Sequence, residues 1–321
     1  MSRRLWVLAA LAAVLVVAGS GAGFAAMPSL YGPTGIVSVP NALVAPTGEI
    51  TGALSYQQTL QMNNVGMYVD SSVAVLGWNN DDATVWSLQA LAGVTKGAEL
   101  WASYSKDNSG FDVKTWGIGG KYQFTIDETA KDQVKFAIGA SYKHATGSND
   151  GMAAYLINVG TYEEPVYDEF DYNANFDLTA KVTDLYAVAT FDISSVGGSE
   201  WGEGSKLLAS AGILYKKFDA DVVASVPDLS DSITFDLSDS LTRPFIGLEY
   251  TGSDKTGLGL EYRWKDSDLD AKAVWSAVLR HQFDKGLAME VGTTNANQAG
   301  LGTSDQNWFA RVGYTFSMGS Y

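Results

Sequence analysis

The sequence predicts an all-β fold, an antiparallel up-and-down barrel of about 12 strands that crosses the outer membrane. Three observations predict it: segments of about ten residues alternate apolar and polar side chains, the connections between them are short and long in turn, and aromatic residues recur at the segment ends. A tilted strand of about 9–11 residues spans a bilayer. Period-two alternation then turns one face to lipid and the other to a polar lumen.

The first 25 residues predict a signal peptide. Arg3 and Arg4 give a basic start, residues 5–17 form an unbroken apolar run, and residues 18–25 are small except for Phe24. This is the layout of an export signal with cleavage after Ala25. The apolar run is too short for a comfortable transmembrane helix.

Residues 26–48 predict a proline-rich lead-in, either periplasmic or folded into the barrel as a plug. They contain Pro28, Pro33, Pro40 and Pro46. Proline supplies no donor to a strand ladder, so a regular strand is not expected here.

Twelve alternating segments follow and predict a barrel over residues 49–317, with 318–321 as a tail. In the clearest segment Trp116, Ile118 and Tyr122 share one face, and Lys121 and Gln123 share the other. The segments are 49–57, 84–94, 98–105, 115–124, 134–144, 183–193, 206–217, 243–251, 257–265, 272–283, 287–295 and 307–317.

The connections predict which end of the barrel faces outward. Bacterial barrels have short periplasmic turns and longer outer loops. With the lead-in on the periplasmic side, the predicted turns are 95–97, 125–133, 194–205, 252–256 and 284–286. The predicted outer loops are 58–83, 106–114, 145–182, 218–242, 266–271 and 295–306.

Aromatic residues of lipid-facing parity predict a girdle at each membrane interface. Trp101 has the opposite parity and is expected to point inward. A secreted β-sandwich is the alternative, but its outward faces should be polar, whereas here the charges lie opposite the aromatics. The outer girdle comprises Tyr56, Trp86, Tyr104, Trp116, Tyr142, Tyr215, Tyr262, Trp264, Trp275 and Trp308, and the inner girdle Phe124, Phe136, Phe191, Tyr250, Phe283 and Phe316.

The other face predicts a charged lumen, for which two interpretations stay open. One is a selective pore with a transverse field. The other is a narrow barrel filled by paired side chains, with the lead-in or a long loop folded inside. The predicted lumen bases are Lys121, Lys135, Lys143, Lys216, Arg243, Arg263, Lys265, Arg280 and Arg311, and the acids are Glu49, Glu99, Asp184, Asp192, Glu249, Glu261 and Glu290.

Charge and cysteine content exclude several classes of function. The net charge of -15 argues against nucleic acid as a partner. The chain has no cysteine, so disulfides and cysteine-ligated metals are excluded. The predicted loops 145–182 and 218–242 are acidic. They would attract cations, calcium included, or form a solvated, repulsive surface, which is favoured because no calcium-loop spacing is present.

No catalytic constellation is found. Of the two histidines, His281 has lipid-facing parity without a serine on the neighbouring faces, and His144 lies at a strand end. Interfacial histidines explain both better than a lipase would. No nucleophile elbow, phosphate loop or zinc spacing occurs. The chain is therefore predicted not to be an enzyme and to need no cofactor.

The segment Tyr31-Gly-Pro-Thr-Gly-Ile-Val-Ser-Val-Pro-Asn-Ala42, followed by Pro46-Thr-Gly-Glu-Ile50, resembles the opening of YjbH-like outer-membrane proteins. Those begin with a TG-apolar-xx-P-x-A…P-x-G pattern that runs into the first barrel strand, and the family is associated with exopolysaccharide production and export. The resemblance covers about the first twenty-five mature residues. This chain is shorter than full-length members and lacks the lipoprotein cysteine of some relatives.

The sequence thus predicts a passive pore or envelope component of the outer membrane, with exopolysaccharide export implied by the resemblance. The alternative is a non-conducting structural or adhesion barrel that acts through its acidic outer loops. The expected partners are outer-membrane lipid and the barrel-assembly machinery, with polysaccharide or small ions as the material that would pass.

Overall fold

A computed structural model describes most of the chain. The described residues are 27–30, 32–59, 65–69, 72–77, 83–108, 112–124, 134–158, 167–194, 204–225, 232–265, 272–283, 286–296 and 302–317. The predicted signal peptide and the tail 318–321 lie outside these ranges. The described residues contain no helix long and apolar enough to span a membrane.

The described residues form fourteen strands in one antiparallel sheet. They are β1 (Glu49–Thr59), β2 (Val65–Val69), β3 (Ser72–Gly77), β4 (Ala83–Thr95), β5 (Ala98–Asp107), β6 (Lys114–Phe124), β7 (Val134–Asn158), β8 (Tyr167–Asp192), β9 (Lys206–Ser225), β10 (Ser232–Thr251), β11 (Thr256–Arg263), β12 (Val274–Gln282), β13 (Leu287–Ala296) and β14 (Gly302–Ser317).

Twelve of these strands close into a barrel, which confirms the predicted fold class. Around the wall the order is β1, β4, β5, β6, β7, β8, β9, β10, β11, β12, β13 and β14. The ring closes where Glu49 pairs with Ser317 and Gln58 with Trp308. Closure leaves the wall without a free sheet edge, which is what a spanning β-structure requires.

The predicted outer loops were wrong where the strands continue beyond the predicted segments. Residues 145–158 and 167–182 are paired strand, because β7 and β8 stay in register from Val134–Phe191 to Asn158–Tyr167. Strands β9 and β10 likewise pair up to Ser225 and Ser232. Inside the predicted loop 58–83, β2 and β3 form a hairpin, and β3 pairs with the far part of β7. Strands β2, β3, β7, β8, β9 and β10 thus build a sheet beyond the barrel, here called the outer sheet.

The inner turns are tight and use the backbone that hairpins need. Gly97 follows β4 with φ 85°, and Gly286 precedes β13 with φ 83°. The turn after β10 is closed by the Gly252 N–H donating to the Thr256 carbonyl at 2.8 Å. Positive φ suits glycine because it has no Cβ. These turns agree with the predicted turns at 95–97 and 252–256.

The polarity of the wall is the reverse of that of a water-soluble protein, with apolar side chains outward and charged side chains inward. Its outward apolar side chains are exposed, with Leu88 61%, Leu100 55% and Ile118 54% accessible. Its inward side chains include buried charges such as Arg263 and Glu99. Large exposed apolar surfaces of this kind need a non-aqueous cover, and the alternation matches a lipid-facing exterior with a polar lumen.

Candidate functional site: a filled lumen

The lead-in lies inside the barrel and crosses its lumen. Its described residues 27–30 and 32–48 form no regular strand but make isolated bridges, between Pro28 and Thr34, between Gly35 and Pro40, and between Thr47 and Gly93. Ile36, Val37, Val39 and Ala42 are fully buried. We call residues 27–48 the plug, with Tyr31 lying outside the described residues. Since proline cannot extend a ladder, the segment folds back on itself. It meets the wall at its end, where Thr47 bridges Gly93 of β4 and the Gly48 N–H donates to the Gly93 carbonyl.

One carboxylate holds the centre of the plug. Glu261 on β11 accepts hydrogen bonds from three successive backbone N–H groups of the plug, at 3.0 Å from Val37, 2.9 Å from Ser38 and 3.1 Å from Val39. The hydroxyl of Ser38 also donates to it, and Arg263 donates to that hydroxyl oxygen at 2.9 Å. Successive N–H groups around an anion form a nest, and hydrogen bonds to an ionised acceptor are the strong kind.

A second carboxylate holds the plug from the opposite wall. Glu99 on β5 accepts the N–H groups of Thr34 and Ala45, each at 2.9 Å, and the hydroxyl of Thr34. Lys121 pairs with Glu99 at 3.0 Å and donates to the carbonyls of Thr34 and Asn41 at 3.0 and 3.1 Å. Because β5 and β11 lie six strands apart in a ring of twelve, the two carboxylates face each other across the barrel.

A second pair of contacts crosses the barrel along another diameter. Arg311 on β14 donates to the Pro28 carbonyl. Across the lumen, Thr190 on β8 accepts the N–H of Ala42 at 2.8 Å. Strands β14 and β8 are also six apart in the ring. Sequence reasoning missed Thr190, although its inward parity was the available signal.

Apolar packing fills the space between these contacts. Leu30, Ile36, Val37, Val39 and Ala42 of the plug share one cluster with inward residues of the wall. Glycines of the wall leave room for the plug: a Cβ at Gly247 would lie 2.3 Å from Ile36 Cδ1, and one at Gly259 2.7 Å from its Cγ2. The wall members of the cluster are Ala137, Tyr186, Val188, Leu214, Phe245, Val278 and Phe309.

Several of the remaining charges of the lumen form ion pairs. Glu290 contacts both Arg280 and Arg311, and Arg280 also lies 3.5 Å from Glu249. Asp184 contacts Lys216 and lies 3.8 Å from Lys143. Such buried pairs need their partners, since removing one leaves an uncompensated charge.

The structure places most predicted lumen residues inside the wall. Lys121, Lys143, Lys216, Arg243, Arg263 and Arg311 are buried among the bases, and Glu49, Glu99, Asp184, Glu261 and Glu290 among the acids. Arg280, Glu249, Lys135 and Asp192 are half-buried. Lys265 was wrongly placed: β11 ends at Arg263, and Lys265 is exposed beyond it.

The predicted girdle residues lie on the outside. Trp116, Trp264, Trp275 and Trp308 are exposed near the outer end, and Phe124, Phe283 and Phe316 near the inner end. Tyr56, Trp86 and Phe136 are half-exposed, with Tyr56 against Trp86 and Phe124 against Phe136 as ring pairs. Trp101 points inward, as its parity indicates, and is 4% exposed beside Gly119, where a Cβ would lie 2.6 Å from the indole.

Two small cavities lie beside the described part of the plug. One cavity of about 40 Å³ lies toward the outer end and is lined mainly by small hydroxyl and amide residues, among them Ser55, Ser87 and Gln89. Another, of about 30 Å³, lies beside Lys143 and Asp184. A single water needs roughly 10–15 Å³ of such space. In the described residues no group of three acidic or histidine side chains converges to hold a metal ion.

Comparisons with known proteins give matches of structure only. No family model matches the sequence, and no curated protein matches it. The translocator domain of the autotransporter NalP from Neisseria meningitidis matches 85% of this chain and 90% of its own, with 14% identity and a TM-score of 0.49. The β domain of the Bordetella autotransporter BrkA covers 84% and 100%, with 10% identity and 0.41.

The toluene transporter TodX of Pseudomonas putida covers 84% of this chain and 89% of its own, again with 10% identity and a TM-score of 0.41. With such identities and TM-scores below 0.5, these likenesses say nothing about what this chain binds or moves.

Proposed function

We propose that this chain is an outer-membrane β-barrel that its own plug keeps closed at rest, and that it serves as a structural or adhesion platform for the outer sheet. The observation that carries the proposal is the hold on the plug from opposite walls, by Glu99 and Glu261. The membrane location is supported by the exposed apolar exterior, which would be costly in water.

Conductance tests the closed state. We expect refolded wild-type protein to give no steady single-channel current in planar bilayers. Frequent, stable openings of the wild-type protein would overturn the closed state and favour a passive pore. Insertion is checked in the same preparation by protection of the wall from protease.

The platform role is supported by the charge of the outer sheet. Asp177, Asp221 and Asp236 are exposed on strands that run past the membrane. A dense negative surface attracts cationic partners over about one Debye length, roughly 8 Å at physiological salt. The partner class that fits is therefore a cationic surface or polymer.

Cells that display the protein should bind a polylysine-coated surface better than cells without it, and the difference should shrink at high salt. Changing Asp177, Asp221 and Asp236 together to Asn should remove most of the gain, whereas Asp254→Asn at an inner turn should not. Equal binding by all four strains would overturn the platform role.

A gated pore is the second candidate, and the contacts of the plug favour it. The plug is the segment that resembles the opening of YjbH-like proteins, and much of its hold comes from two carboxylates. Under this proposal the barrel opens when the plug leaves, and polysaccharide export is the implied use. A double variant Glu99→Ala, Glu261→Ala should then conduct intermittently. Silence of this variant, with a demonstrably displaced plug, would rule the gated pore out.

A further inference from the structure

A groove runs along the outside of the wall between β5 and β10. It is an open depression with a volume of about 690 Å³. The floor of the groove is formed by small residues, Gly120, Ala140 and Ala187. Gly120 and Ala140 are paired on adjacent strands, which brings two small residues together. Large exposed side chains stand around them: Leu100, Tyr122, Ile138, Leu185 and Ile213.

The groove has a polar rim at its outer end. Tyr215 and Thr242 line that end. Toward the outer end of the barrel, the next positions on this face are Thr183 and Lys217, which are paired with each other. Lys181 follows, and it is paired with Asp219. Lys217 Nζ lies 3.2 Å from Asp219 Oδ2, and the side chains of both are more than 40% exposed. Lys181 also interacts with the Asp219 carboxylate, so two ammonium groups stand beside it at the outer end of the groove. The acidic part of the outer sheet begins farther out, at Asp221.

We propose that this groove and its rim bind one phosphorylated lipid of the outer leaflet, with an acyl chain in the groove and the phosphate at Lys181 and Lys217. The inference is independent of whether the lumen conducts. A lysine ammonium is a compact charge suited to phosphate, and the hydroxyls of Thr183 and Thr242 supply donors beside it.

The position selects a lipid over other anionic ligands. The groove lies on the lipid-facing side of the wall, in the band where Ile138 and Leu185 are exposed. Only hydrocarbon reaches that depth. Lys217 lies two residues from Tyr215 of the predicted outer girdle, and Lys181 lies four residues from Leu185, each toward the outer end of its strand. Under this proposal the lipid headgroup lies at this level. A free phosphate would bind at the lysines, and changes in the groove would not alter its binding.

Native mass spectrometry of the detergent-solubilised protein tests the site. The probes are a dioleoyl phosphatidic acid, the matching dioleoyl glycerol and inorganic phosphate. We expect one phosphatidic acid to be retained. Ala140→Leu should fill the groove, and Lys181→Gln with Lys217→Gln should remove the rim charge; each should lower retention at least tenfold.

Ala310→Leu is the matched control, because Ala310 is an exposed, outward alanine of β14 away from the groove. It should retain phosphatidic acid as the wild type does. Heat-modified gel migration verifies that each variant has folded. Three outcomes would each overturn the proposal. Phosphatidic acid could be retained equally by all variants, the dioleoyl glycerol could be retained as tightly as the acid, or phosphate binding could be insensitive to the lysine changes.

Discussion

The carboxylate of Glu261 accepts both the backbone N–H of Ser38, at 2.9 Å, and the hydroxyl of the same residue. The two residues are 223 positions apart in the chain. This contact joins the middle of the plug to wall strand β11.

Glu261→Gln should loosen the plug. The amide keeps the shape of the side chain but removes the charge that Val37, Ser38 and Val39 share as donors. Hydrogen bonds to charged groups contribute about 1.5–3 kcal/mol each, against about 1 kcal/mol for neutral ones. Amide hydrogen exchange at residues 37–39 should therefore become faster.

Glu249→Gln is the control for this change. Glu249 contacts the plug at the Asn41 side chain, 2.9 Å away, and receives none of the three N–H groups. Its effect on exchange at residues 37–39 should be small. If the two variants exchange alike, Glu261 is not the centre of the hold.

Gly93→Ala should strain the junction between plug and wall. A Cβ at Gly93 would lie 2.1 Å from the carbonyl oxygen of Pro46 and 2.5 Å from that of Ala45, both of them backbone atoms. Overpacking of this kind costs about 1–3 kcal/mol, and it would also disturb the bond from Gly48 N–H to the Gly93 carbonyl, 2.9 Å long.

The urea midpoint of refolded protein in bilayers measures the Gly93 effect. Gly52→Ala is the matched control, since a Cβ there meets nothing within 4 Å. We expect Gly93→Ala to lower the urea midpoint and Gly52→Ala to leave it almost unchanged. Equal midpoints would contradict close contact at the junction.

Ile118→Arg should impair insertion of the barrel. Ile118 lies at mid-strand in β6 with 54% of its side chain exposed on the lipid face. Arginine at a mid-bilayer, lipid-facing site costs roughly 2–4 kcal/mol. Ser105→Arg, at a half-buried inward site beside the outer cavity, should cost much less. Folding into vesicles against urea compares the two, and the reverse order would contradict the face assignment.

Because of the plug, an inward-facing position does not necessarily tolerate a charged substitution. Ala137 faces the lumen, and from the sequence alone a charge is expected to be tolerated there. In the structure Ala137 is 1% exposed and belongs to the apolar cluster around the plug. Ala137→Arg should therefore also impair folding. Comparable impairment by Ile138→Arg and Ala137→Arg, for different reasons, is the expected outcome of the same urea assay.

Acid should weaken the outer hairpin between β5 and β6. Lys106 lies 2.9 Å from Asp112, and its hydrogen bond holds the pKa of that carboxyl below the usual range. A lowered folded pKa gives a stabilisation that is present above the unfolded value, about 3.9, and is lost as the pH falls through the folded value.

Asp112→Asn tests the acid effect, because asparagine tolerates the positive φ of 42° at that position. The small difference in thermal stability between wild type and variant should be present at pH 6 and vanish near pH 2. A difference that is the same at both values would exclude this ion pair as its source.

The wall of the barrel was predictable from the sequence because membrane and lumen impose opposite polarities on alternate residues. In β11 the burial pattern alternates at nearly every position from Thr256 to Arg263. The extension of β8 was missed although it follows the same rule, because apolar residues alternate with polar ones from Phe170 to Val182. Residues 145–158, the extension of β7, lack this alternation and contain Gly147, Asn149, Asp150 and Gly151, which favour a loop.

The site was predictable in its charges but not in its partners. Parity alone indicates that Glu99 and Glu261 face inward. It does not indicate that they bind residues of the lead-in, because contacts between residues such as Val37 and Glu261, 224 positions apart, leave no periodic signal. Proline in the lead-in excluded a strand and left the choice between periplasm and lumen open.

The plug has a mechanical consequence for the barrel. Its contacts reach β5 and β11 along one diameter and β8 and β14 along another, three strands round the ring. Contacts along two crossing diameters resist flattening of the ring in either direction. A barrel braced in this way should keep a round cross-section when lateral pressure in the bilayer changes, whereas an empty barrel of the same size would be free to become oval.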